Sequence, residues 1–133
     1  MRSPIARTAA RAIAPFLFIS GLYFATHGFK LPGGGFQGGV LLASGAILLL
    51  LTQGREKVIH LEENIDWFET MGAVVFLLAG FGGIIVGPAF LYNLSPGSPI
   101  WCVVLDIVIA LKVFAGILAL FIYLFGLKEV KAC

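Results

Sequence analysis

Charge is what this chain of 133 residues has least of. Nine Lys and Arg and seven Asp and Glu make up 12% of it, against 59% hydrophobic residues. With a mean hydropathy of +1.01, it carries more apolar surface than one small water-soluble core could bury, so the chain needs lipid. Cysteine is equally scarce. Cys102 and Cys133 form no CxxC or metal-ligand spacing and belong at opposite ends of one predicted helical region, so they point to no metal site, redox site or internal disulfide. Iron–sulfur ligation would need a cysteine cluster that the sequence lacks. Four helices of roughly 20 residues with short connections use up nearly all of the length. No room is left for a catalytic or nucleic-acid-binding domain.

What is present is a set of long apolar stretches separated by polar, proline or charged clusters. They predict one all-α domain over residues 1–133, an integral membrane bundle of about four spans. The spans run from about residue 9 to 27, 36 to 52, 70 to 90 and 100 to 126. The first resembles the positive start and apolar run of a signal peptide. It has no convincing small-residue cleavage site before the glycines, and it reads as a retained span. Seven basic residues, Arg2, Arg7, Arg11, Arg55, Lys57, Lys128 and Lys131, fall on one side of such a bundle, and Lys30 alone falls on the other. By the positive-inside rule both termini are expected in the cytoplasm, and the cell membrane is the expected location.

Between the second and third spans lies the charged stretch of residues 53–69. There Val58, Leu61, Ile65 and Phe68 recur at near-helical spacing among Glu62, Glu63, Asp66 and Glu69. This reads either as a short amphipathic helix on the membrane surface with Trp67 at headgroup level, or as a solvated connector that becomes the first turn of the third span.

Lys112 is the residue that a span would least readily hold. It lies about 12 residues from one end of the fourth span and 14 from the other, roughly 18 and 21 Å, too deep to reach either surface. A charge there costs at least ~3 kcal/mol on insertion scales, so Lys112 is expected to face protein or a water-filled cavity and to find an acidic, backbone or water partner. It is a candidate for an ion path, or else a structural lysine that pins the helix to a neighbouring subunit. Asp106, six residues earlier, projects about 120° away and about 9 Å along the axis, so the two are not an i,i+4 pair. Asp106 is either a second ion-path candidate or a solvated residue near the outer headgroups.

The other conspicuous run joins the first two spans: Thr26, His27, Gly28, Phe29, Lys30, Leu31, Pro32, Gly33, Gly34, Gly35, Phe36, Gln37, Gly38 and Gly39. It lacks the GK[ST] ending of a phosphate-binding loop. The second span is only about 17 residues, near 26 Å, so the glycine run is placed to dip below the membrane surface. Irregular backbone is tolerated there when it is covered by protein or lines a cavity. Gly35, Gly39 and Ala43 form a small-residue face for helix packing, and Ala79, Gly83 and Gly87 form another. His27 has the titration range of a proton relay and equally the position of a capping or interfacial residue.

The run of residues 27–39, with its PGGGFQGG core, resembles the signature of the MnhB/MrpB family, the small membrane subunit of Mrp-type multisubunit sodium/proton antiporters. The stretch Ala110, Leu111, Lys112, Val113, Phe114, Ala115 and Gly116 is similar to that family's lysine-bearing last helix. Phe29, Lys30 and Leu31 stand where many members carry a His and an Asn or Thr, so no polar role carries over to them. The resemblance implies a subunit without catalytic residues or cofactor of its own, packed among other Mrp-type membrane subunits that exchange Na+ for H+. Related modules occur in membrane-bound hydrogenase-type complexes, where hydrogenase-like or iron–sulfur subunits would be the partners. Two other readings stand beside transport: a structural subunit that seals or positions its neighbours, and a small homodimeric four-helix exporter. The exporter is weakened by a first span without Asp or Glu.

Overall fold

The computed structural model describes residues 3–30, 32–53, 56–89 and 98–124, with the side chains of 53 and 56–63 left aside. Four helices account for nearly all of it: α1 Pro4–His27, α2 Gly34–Gln53, α3 Glu56–Val86 and α4 Ile100–Leu124, with a 3-10 turn Gly28–Lys30 after α1. All four are long and apolar enough to cross a membrane. The protein is therefore an all-α, multi-pass membrane bundle. Arg2, Arg55, Lys128 and Lys131, which carry much of the orientation argument, and residues 90–97 lie outside the described residues.

Local signals explain the ends. Ser3 caps α1, its hydroxyl accepting a hydrogen bond from the Ala6 amide at 3.1 Å, and Pro4 takes the first helical position, where a missing N–H costs nothing. Within the spans, hydroxyls turn back on their own helix. Ser44 donates to the Val40 carbonyl at 2.8 Å and Thr70 to the Asp66 carbonyl at 2.8 Å, so neither presents a bare donor to hydrocarbon.

The boundaries differ from the sequence expectation most at α3. One continuous helix of 31 residues replaces the surface helix and the short third span. Ile65 is buried against Leu118, Ala119 and Ile122 of α4, so the part of the charged stretch around Ile65 stands beside α4 inside the bundle. The span itself begins at Asn64, with Asp66, Trp67 and Phe68 exposed, so the described part of the charged stretch is the start of the third span and not a separate surface helix.

Contacts fix the register. Gly21 and Ala25 of α1 meet Gly38 of α2, and Leu17 meets Gly45, so these helices run antiparallel. Gly35 meets Asp106 and Gly39 meets Ala110, so α2 and α4 run parallel. α3 returns antiparallel to α4, with Ile65 opposite residues 118–122 and Gly72 opposite Lys112. The described ends of α1 and α4 that lead to the two termini therefore share one side. α2 sits between α1 and α4, while α3 packs on α4 and barely touches α2.

The α2–α4 seam is the tightest. A Cβ at Gly35 would collide with the Asp106 backbone carbonyl, and one at Gly39 would lie 2.5 Å from the Ala110 oxygen. Ala43, next on that strip, is wholly buried. Between helices in lipid, association rests on such close van der Waals packing, because the tails are as apolar as the side chains. On α3, Gly83 is buried and Ala79 and Gly87 are half-buried.

Replacing Gly39 with Leu should force α2 off α4 and cost about 1–3 kcal/mol, the usual range for overpacking. A Cβ at Gly82, by contrast, meets nothing within 4 Å, and Gly82→Ala should be neutral to stabilising, by up to about 1 kcal/mol. Thermal unfolding of the detergent-solubilised chain distinguishes the two, and equal melting temperatures would refute the packing account.

Candidate functional site

Two polar centres are built on α4, about 9 Å apart along its axis by their six-residue separation. The deeper one is Lys112, 12 residues from each end of α4 Ile100–Leu124, roughly 18 Å either way. Its aliphatic stem lies over Gly72 of α3, whose Cβ position is 3.6 Å from the lysine Cδ. A Cβ at residue 72 would meet the lysine at ordinary van der Waals distance. The ammonium donates a hydrogen bond to the Glu69 backbone carbonyl at 3.1 Å and faces Glu69 Oε1 at 3.7 Å. That second distance is an ion pair, longer than a hydrogen bond.

Glu69 is thus the acidic partner of Lys112. Local sequence pattern ends the charged surface stretch on this residue and starts the third span at Thr70, which misses the pairing by one position. A continuous helix brings Glu69 into the membrane. An acid one turn before a glycine that packs on the lysine-bearing helix is the signal that points to it.

Asp106 forms the shallower centre. α2 has no acidic residue in its own first turn, and Gly33 before it and Gly34 at its start have φ of 105° and 54°, a left-handed backbone that suits glycine. Asp106 supplies the missing cap from α4: its Oδ1 accepts a hydrogen bond from the Gly35 amide at 3.3 Å, at the positive end of the α2 dipole. Its Oδ2 is buried without a hydrogen-bond partner, against Gly28, where a Cβ would come within 2.8 Å of it. The solvated headgroup position considered from the sequence does not fit this carboxylate. Because Asp106 stands six residues inside α4, the glycine turn lies about 9 Å below the start of that helix. Gly28 and Gly35 of this turn are buried, while Pro32 and Gly33 are exposed.

His27 belongs to neither centre. It is exposed, its Nδ1 shares a 2.9 Å hydrogen bond with the Thr26 hydroxyl, and its ring stacks on Tyr23 at 4.7 Å. These are contacts within α1. In the glycine-rich run, Pro32, Phe36 and Gln37 are exposed, while Gly35, Gly38 and Gly39 are buried in the helix contacts. Among the described residues no group of three or more His, Cys, Asp or Glu could hold a metal. A groove of about 490 Å³ runs along the other side of the α3–α4 contact, lined by Phe68, Met71, Val75, Leu111 and Phe114 among others. It offers packing surface and no chemistry.

A family described as a domain related to the MnhB subunit of Na+/H+ antiporter matches residues 5–119. The chain belongs to the MnhB family. It is similar to an uncharacterised protein of Methanocaldococcus jannaschii, 30% identical over 94 residues, which are 70% of this chain and 36% of that protein. It is also similar to a Na+/H+ antiporter subunit of Bacillus subtilis, 31% identical over 88 residues, 65% of this chain and 62% of that one. The chain thus spans between about a third and two-thirds of the length of these two relatives. The MnhB match takes in the glycine turn, Asp106 and Lys112 together.

If Asp106 caps α2 as described, Asp106→Ala should lower stability by about 0.5–2 kcal/mol, the range for a lost cap. Asp106→Asn keeps an acceptor for the Gly35 amide and should lose less. Denaturant or thermal melts of the two variants side by side check the order, and an unchanged Asp106→Ala melt would remove the capping role.

Proposed function

We propose that this MnhB-family chain is a non-catalytic membrane subunit of a cation/proton antiporter assembly in the cell membrane, with both termini cytoplasmic, and that its Glu69–Lys112 pair borders the path of Na+ or H+. The observation that carries the reading is the pair itself. A carboxylate and an ammonium meet halfway along α4, at 3.7 Å, where a bilayer would exclude both unless they served a purpose. The name of the Bacillus subtilis relative supplies the transport class and the two ions.

The chemistry suits the role. An opposed acid and base in a low-dielectric site exist either as an ion pair or, after proton transfer, as a neutral pair, and a passing cation competes with the ammonium for the carboxylate. Such a site responds to proton and sodium alike without any bound cofactor. Other membrane subunits supply the rest of the path. A redox-driven host of the hydrogenase type would carry its redox centres on those subunits, and the chain would serve it in the same way.

A purely structural role is favoured by a different observation, the glycine-tight α2–α4 seam and its Asp106 cap, which build a rigid spacer. Substitution separates the readings. In everted vesicles, Lys112→Ala and Glu69→Gln should lower sodium-dependent proton exchange about tenfold per assembly recovered on a native gel, the effect of roughly 1.4 kcal/mol on a barrier. Normal exchange by an intact assembly would assign the chain to the structural role.

A further inference from the structure

The Glu69–Lys112 pair is incompletely enclosed by its own chain. The lysine side chain is 36% exposed and the glutamate 40%. An ammonium has three donors, and the hydrogen bond to the Glu69 carbonyl uses one of them. The carboxylate stands at ion-pair distance, so both groups have hydrogen-bonding capacity directed outward at a depth where lipid tails can satisfy neither. One turn further along the same strip of α4 lies Gly116, whose Cβ would meet nothing within 4 Å. Among the described residues, the space beside the lysine is therefore open. A glycine on an open helix face costs about 1 kcal/mol in propensity relative to Ala, and in membranes it lets a second backbone approach closely.

We propose that the α3–α4 face bearing Glu69, Lys112 and Gly116 seats a transmembrane helix of a different subunit, which crosses α4 at Gly116 and presents a polar, hydrogen-bonding side chain to the Glu69–Lys112 pair. This rests on the reading of the chain as one subunit of an assembly. A film of water over the pair would not replace the partner, since water at that depth needs a protein wall on its far side. A second copy of this chain is a poor occupant. A twofold contact would bring two ammonium and two carboxylate groups into one apolar seam, where like charges repel and each ion is costly to desolvate. The groove on the opposite side of the α3–α4 contact is mainly apolar, Asn64 and Trp67 apart, and holds no charged pair.

The test uses the whole assembly, purified in gentle detergent through a tag on this chain. Gly116→Leu adds a side chain into space that this chain leaves empty, so the chain itself should reach the membrane at its normal level. Recovery of the other subunits with it should fall about tenfold, the consequence of overpacking a seated interface. A photo-crosslinking amino acid in place of Ala73, one turn from Glu69 on α3, should form an adduct with a subunit that copurifies with the unmodified chain. An intact Gly116→Leu assembly, or adducts from position 73 with lipid or a second copy alone, would overturn the interface while leaving the assembly reading in place. An unmodified chain recovered with no other subunit would overturn both.

Discussion

A bilayer interior supplies no hydrogen bonds, so each polar group that enters it has to be answered by the protein. Most of this structure follows from that constraint acting on one seam, the contact of α2 with α4. The turn between α1 and α2 exposes amide groups at the start of α2 and sits about 9 Å below the start of α4. Gly35 and Gly39 let the α2 backbone come against Asp106 and Ala110, and this proximity allows the Asp106 carboxylate to reach the Gly35 amide. Without the glycines the cap could not form, and without the cap the buried turn would hold unanswered donors. Packing and hydrogen bonding at this seam are one interaction.

α3 stands in a different relation to the bundle. It leans on α4 through Ile65 and Gly72 and has little hold on α2. Its outward face, with Phe81, Ile84, Ile85 and Val86 exposed, is what a lipid-facing helix needs. Its Glu69 pairs with Lys112 of α4. A change in the charge of that pair therefore bears on the helix held least firmly, while the α1–α2–α4 unit is fixed by backbone-to-backbone approach.

The spans and the oddity of Lys112 are legible in the sequence because each depends on a local quantity: length of an apolar run, depth of a charge in a helix. The Gly35, Gly39 and Ala43 strip reads as a packing face from its four-residue period alone. Which helix meets it does not follow from that period. Glu69 is hidden for a related reason. Its neighbours Asp66 and Glu63 give the stretch a surface character, and only the burial of Ile65 against Leu118 and Ile122, a contact some fifty residues away, draws it into the membrane. Asp106 invites comparison with Lys112 on its own helix, whereas its partner is a backbone amide 71 residues distant.

Placing both polar centres on α4 has a mechanical consequence. Asp106 and Lys112 project about 120° apart on a single helix, one toward α2 and the other toward α3. Translation or rotation of α4 against α2 would break the cap and drive the Gly39 position into the Ala110 carbonyl at the same time, so the seam resists it in both directions. Against α3, α4 is held by side chains: Ile65 packs on Leu118 and Ile122, the lysine stem lies at ordinary contact distance from Gly72, and the ammonium donates to the Glu69 carbonyl. The outer seam is thus fixed by backbone approach and the Glu69–Lys112 contact by side-chain packing and a side-chain hydrogen bond, and the same helix carries both.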